Sequence, residues 1–104
     1  MRELHHFGIP TDRPQKKESY MAGAKLYVTE VADSPNRIEF LRFEKGSPLP
    51  ELLQKSAHIA YKVKDLKQAM AGKSVLVEPF SPAPGLTVAF VVEEGIPIEF
   101  MQEG

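Results

Sequence analysis

Apolar and polar residues alternate most cleanly over the stretch that begins at His58. Ile59, Tyr61 and Val63 fall on one side of an extended segment, and His58, Ala60 and Lys62 on the other. The segment runs straight into Asp65, a helix N-cap residue, then Leu66-Lys67-Gln68-Ala69-Met70-Ala71, and stops at Gly72. After this strand and helix the pattern predicts a strand over Ser74–Glu78 and a turn-rich stretch over Pro79–Gly85. A nearly continuous apolar strand over Leu86–Val92 follows, then a tight turn at Glu93-Glu94-Gly95 and a last strand over Ile96–Met101. The second half thus reads β-α-β-β-β.

The first half is sparser. Leu4–Ile9 predicts a first strand, closed off by Pro10 and Pro14. Pro14–Gly23 has a proline suited to a first helical position and a glycine suited to a stop, which predicts one or two helical turns. Lys25–Val31 and Arg37–Phe43 are rich in β-branched and aromatic residues and read as a hairpin around Ala32–Asn36. Glu44–Pro50 is the best linker stretch, with one helical turn over Glu51–Lys55.

The halves are related. His6-Phe7-Gly8-Ile9 matches His58-Ile59-Ala60-Tyr61, and Ile38-Glu39-Phe40-Leu41 matches Ile98-Glu99-Phe100-Met101 almost letter for letter. The first half is the shorter, and the shortfall lies around its helix. One glutamate between two large apolar residues is ordinary for the wet face of a half-buried sheet. Two of them, each at the end of a unit that starts with a histidine, are less ordinary. If the units pack as symmetric sheets, His6, Glu39, His58 and Glu99 meet in one place.

Composition narrows the chemistry. With 104 residues, 42% apolar content and 26% charged content, the chain suits one compact domain. A net charge of −1 gives no basic face for nucleic acid, and no apolar run is long enough to span a membrane. Met1–His6 has no apolar leader region, so the sequence-based expectation is a cytoplasmic protein. There is no cysteine, which leaves His, Asp and Glu as the metal-ligand types.

On these residues the chain resembles the vicinal oxygen chelate superfamily of glyoxalases, bleomycin-resistance proteins and extradiol dioxygenases. The likeness spans nearly the whole chain and is best over 56–102, which looks most like methylmalonyl-CoA epimerase and glyoxalase I. It implies an α+β fold in which two paired βαβββ modules form an open, U-shaped mixed sheet, the first module abbreviated. Module 1 would span about 1–46, a linker 47–56 and module 2 57–104 of a single domain. It implies one divalent metal ion (Ni, Co, Zn, Mn or Fe) held by His6, Glu39, His58 and Glu99. Glu99 and Glu39 become the candidate catalytic bases for a lyase or isomerase that removes a proton beside a polarised carbonyl or thioester. A dioxygenase would need two histidines and one carboxylate, leaving Glu39 surplus. The match of His6-Phe7 to His58-Ile59 favours His6 over His5 as ligand, since pleat parity puts the neighbour on the opposite face. Lys62 shares the His58 face but reads as a lysine whose head reaches solvent, as do Arg37 and Arg42. The abbreviated module leaves sheet surface to cover, which implies a homodimer. The runner-up is a metal-free small-molecule binding protein of the bleomycin-resistance type, and a third reading is a relic without a working site.

Overall fold

The computed structural model describes residues 2–104. Its framework is one eight-stranded sheet in the order β2-β3-β4-β1-β5-β8-β7-β6. The strands are β1 (Glu3–Pro10), β2 (Ser19–Met21), β3 (Leu26–Val28), β4 (Ile38–Phe43), β5 (His58–Lys62), β6 (Ser74–Ala83), β7 (Leu86–Glu93) and β8 (Ile96–Glu103). Two short helices complete it, α1 (Glu51–Lys55) and α2 (Leu66–Met70). The sheet is mixed, curled and open, which makes the fold α+β.

The topology states the internal repeat directly. In each half the first strand pairs in parallel with the last: β1 with β4, aligning Gly8 with Glu39, and β5 with β8, aligning Ala60 with Glu99. The halves join where β1 and β5 run antiparallel, with Phe7 opposite Ile59. A half-turn about that pair exchanges the halves. It sets His6 opposite Ala60 and His58 opposite Gly8. Each histidine therefore faces the small residue of the other half.

The outer face of the second half is covered by α2. Leu66 packs there against Ala89, Val91, Ile98 and Phe100, all buried, with Ile59 and Tyr61 at the margin. Helix α2 starts as its sequence predicts: the Asp65 side chain accepts a hydrogen bond from the Gln68 amide at 3.1 Å, and Gly72 takes a positive φ just beyond the end. The Gln102 side chain accepts from the Leu66 amide at 2.7 Å and ties the helix start to β8. Asp65→Ala is expected to lower stability by about 1 kcal/mol, seen as a shifted urea midpoint at an unchanged slope.

The first half has no such helix. The turns predicted over Pro14–Gly23 are absent: residues 14–18 are irregular, and Ser19–Met21 form edge strand β2. The stretch has no apolar positions at helical spacing to bury. Charge anchors it instead. The Arg42 guanidinium donates to both oxygens of Glu18 at 2.9 and 2.7 Å and lies 4.1 Å from the centre of the Tyr27 ring, against which the Tyr20 ring rests tilted. Arg42 is therefore paired, not a free surface charge. A groove of about 570 Å³ in this half is lined by Ile38 and Phe40 together with the charged Lys16, Lys17, Glu30 and Asp33.

Two strand boundaries also differ from expectation. The strand predicted over Lys25–Val31 is only Leu26–Val28, and Val31–Asp33 make a short 3₁₀ turn. Strand β6 runs on to Ala83, through the stretch that reads as a turn. As a sheet edge it tolerates Pro79 and Pro82, because an outward position needs no amide donor. Among the described residues no helix is long and apolar enough to cross a membrane.

Candidate metal centre

The four residues singled out by the repeat come together. His58 Nε2 lies 3.1 Å from Glu99 Oε1, and His6 Nε2 lies 3.5 Å from both Glu39 Oε1 and Glu99 Oε1. The two imidazoles stand edge to face, their centres 5.8 Å apart. The strands explain the meeting. The Glu39–Gly8 and Glu99–Ala60 alignments put each glutamate one strand away from its own half's histidine, and the β1–β5 junction sets the two pairs side by side. Phe90, opposite Glu99 on β7, closes the His58 side with its ring centre 5.2 Å from the imidazole.

The cluster is buried unevenly. His6, His58 and Glu99 are 3%, 1% and 8% exposed, while the Glu39 side chain keeps 23% of its surface. Burial opposes a charge on His6, but the Glu39 and Glu99 carboxylates outweigh it and raise its pKa to about 9. Burial likewise opposes ionisation of Glu99, but His58 and His6 outweigh it and hold its pKa down at about 2. Without a metal, His6 and Glu99 thus form a buried imidazolium–carboxylate pair.

These donors suit a divalent ion. One ligand atom from each of His6, Glu39 and His58 lies within 4.8 Å of the others, and Glu99 touches both histidines. Ligand atoms at roughly 2.0–2.2 Å from one ion are at most about 4.4 Å apart, so a small contraction closes the set. His6 Nε2 carries the strongest sign: it is buried, aimed between two carboxylates, and has no hydrogen-bond partner within normal reach. Two imidazoles and two carboxylates match the borderline divalent ions of the first transition row.

Two features of the site lie outside the four-residue pattern. Gly8 is one. A Cβ built on it would overlap the His58 ring, so the ring occupies the space that a side chain at position 8 would fill. The signal was present in the matched triplets, His6-Phe7-Gly8 and His58-Ile59-Ala60, as two small residues two positions after a histidine. His5 is the other. Parity predicts that it points away from His6, yet the Nδ1 atoms of the two rings are 2.8 Å apart. The cause is a β-bulge: the β1–β5 register shifts between Leu4 and His6, and His5 is the extra residue. Burial, then the neighbouring His6 and Lys62 charges, push the His5 pKa below its ordinary value. Lys62 reaches out to Glu103 at 3.0 Å and stays partly exposed, as expected of a solvated lysine.

The sequence matches no family model and no curated protein. Solved structures do resemble it. A hypothetical protein from Bacillus halodurans C-125 superposes with a TM-score of 0.71 at 20% identity, covering 99% of this chain and 95% of its own. Methylmalonyl-CoA epimerase from Mycobacterium tuberculosis superposes with a TM-score of 0.65 at 16% identity, covering 98% of this chain and 88% of its own. With the curled half-barrel sheet, these likenesses fit a vicinal oxygen chelate fold.

Proposed function

We propose that the chain is a divalent-metal-dependent enzyme of the epimerase or glyoxalase kind, acting on a small carbonyl or thioester compound. His6, Glu39, His58 and Glu99 would hold the ion. The observation that supports this most is the buried, unsatisfied Nε2 of His6 between two carboxylates. When bound, the ion would supply Lewis-acid stabilisation of an oxygen that gains charge as the neighbouring C–H proton leaves. The likeness to methylmalonyl-CoA epimerase makes a CoA thioester the first substrate to try.

The chain's own groups divide the remaining work. Of the two carboxylates expected to move protons, Glu39 fits better. It is the most exposed member of the cluster and is shared with His6 alone, so its oxygen is the freest to swing toward a substrate carbon. Glu99 is gripped by two histidines and is a weak base at a pKa of about 2, which suits a ligand that offsets charge. His58 and Phe90 wall off water behind it. A homodimer that covers the open face of the first half is part of the same reading.

The test is metal uptake followed by proton exchange. Protein purified without an affinity tag, stripped and titrated with Ni²⁺, Co²⁺, Mn²⁺ or Zn²⁺, should take up about one ion per chain, and His58→Ala and Glu99→Ala should lose it. Glu39→Gln should keep an ion on its three remaining donors. It should slow deuterium exchange beside the carbonyl of methylmalonyl-CoA by about 10²-fold or more, followed by NMR. A wild-type protein that takes up none of these ions would overturn the reading and leave the metal-free binding module in its place.

A further inference from the structure

The two halves hold their histidines differently. In the second half, Ala57 precedes His58, and the buried Nδ1 of His58 has no hydrogen-bond partner. In the first half, His5 precedes His6, and the bulge brings the two Nδ1 atoms to 2.8 Å. That distance requires one proton between them, since two bare nitrogens repel and two N–H groups clash. The bulge is itself held. The Leu4 carbonyl at its start accepts from the Arg37 guanidinium at 3.1 Å, and the Phe7 amide just past it donates to the Arg37 carbonyl at 2.9 Å. Arg37 sits at φ 56°, in the left-handed region that non-glycine residues rarely adopt. Its counterpart in the second half is Pro97, which has no side chain to offer such a grip.

We propose that His5 is a positioning residue: pinned in its bulge by Arg37, it accepts a hydrogen bond from His6 Nδ1–H and so keeps His6 Nε2 aimed between Glu39 and Glu99. The inference rests on the metal-binding reading above and gives it an outer support that the repeat alone does not contain. The direction of the bond follows from the other end of the ring. If His6 Nδ1 were the acceptor, the proton would sit on Nε2, the atom aimed at the carboxylates, and no ion could use it. With the proton on Nδ1, Nε2 is left for the ion. The bond can persist whether Nε2 carries a proton in the metal-free protein or a metal in the loaded one. His6 thus has its ring orientation fixed by a partner, while the steric fit at Gly8 and Phe90 confines His58.

The test uses ¹⁵N-labelled protein at neutral pH, metal-free and with Zn²⁺. His6 should show a proton on Nδ1 and a nitrogen–nitrogen coupling across the bond to His5 Nδ1, in both states. His5→Ala should bind Zn²⁺ 10- to 100-fold more weakly. His5→Asn, whose Oδ1 lies close to the position of the lost Nδ1 and can accept the same bond, should restore most of that affinity, which a merely structural role for the ring would not predict. A proton on His5 Nδ1 facing a bare His6 Nδ1, or a His5→Ala protein that binds Zn²⁺ as tightly as wild type, would overturn the inference. If wild-type protein binds no Zn²⁺, the coupling alone decides whether His5 holds His6, and its absence overturns the proposal.

Discussion

Gly8→Ala should abolish the proposed metal site, although position 8 is not one of its proposed ligands. The added methyl would fall inside the His58 imidazole, which is almost fully buried between Gly8, Phe90 and Glu99. Residue 8 is not at a positive φ, so the demand for glycine here is one of space and not of backbone conformation. Two responses are open to the fold. The ring can rotate out of the cluster, which breaks its contact with Glu99, or β1 and β5 can part at the junction between the halves. The first loses a ligand outright. The second strains the β1–β5 pair, which joins the two four-strand units. Overpacking of this kind costs about 1–3 kcal/mol, and displacement of one nitrogen ligand should weaken divalent-ion affinity by at least about 10²-fold. The measurement is a paired one: thermal midpoint and calorimetric metal titration on Gly8→Ala, with Gly23→Ala as the control. A Cβ at Gly23 meets nothing within 4 Å, so that variant should match wild type in both. Unchanged metal affinity in Gly8→Ala would show that His58 is not a ligand in the position seen here.

The contrast between positions 8 and 60 shows where the repeat stops being a symmetry. Ala60 faces His6 across the junction just as Gly8 faces His58, yet it carries a methyl and remains fully buried. The His6 ring therefore sits differently from the His58 ring. Its Nδ1 goes to His5 and its Nε2 between both carboxylates, whereas His58 makes its contact with Glu99 alone. Two near-identical triplets have diverged into a histidine with a ring partner at Nδ1 and a histidine confined by packing.

That divergence also marks what could be read from the residues alone. The Ile-Glu-Phe strands and the two histidines were legible because side-chain period and parallel pairing leave each glutamate one strand from its histidine. The helix at Leu66–Met70 was legible from its cap, its apolar spacing and Gly72. The helix expected over Pro14–Gly23 rested on end signals with no apolar stripe between them, and end signals cannot hold a helix that has nothing to bury. The length of β6 was hidden because proline counts against a strand only when its amide is needed, and edge position is a property of the sheet and not of the segment. The bulge at His5 was hidden for a related reason. It depends on Arg37, more than thirty residues away, taking a left-handed conformation and reaching the Leu4 carbonyl.

Above neutrality the metal-free protein should lose stability as pH rises, while the metal-loaded protein should hold its own. His6 has its folded pKa raised to about 9 from an ordinary 6.5, so the stability it contributes is fully present below pH 6.5 and is lost as pH rises through 9. Glu99 has its folded pKa lowered to about 2 from an ordinary 4.5, so its contribution is present above pH 4.5 and is lost as pH falls through 2. The cluster therefore supports the metal-free fold best between pH 4.5 and 6.5, and the thermal midpoint of stripped protein should decline from 6.5 towards 9. An ion at His6 Nε2 must displace the proton that holds this arrangement together. Uptake at pH 7.5 should accordingly release about one proton per ion, seen as a dependence of the binding enthalpy on the ionisation enthalpy of the buffer. Apparent affinity should climb about tenfold per pH unit from 6.5 and level off near 9, where His6 is already bare. The stabilisation given by a fixed ion concentration should widen over the same window, because the loaded protein has no His6 proton to lose and stays level while the stripped one declines. An affinity flat from pH 6.5 to 9 would mean that the ion does not compete with the His6 proton, and it would remove His6 from the ligand set while leaving the buried ion pair with Glu99 in place.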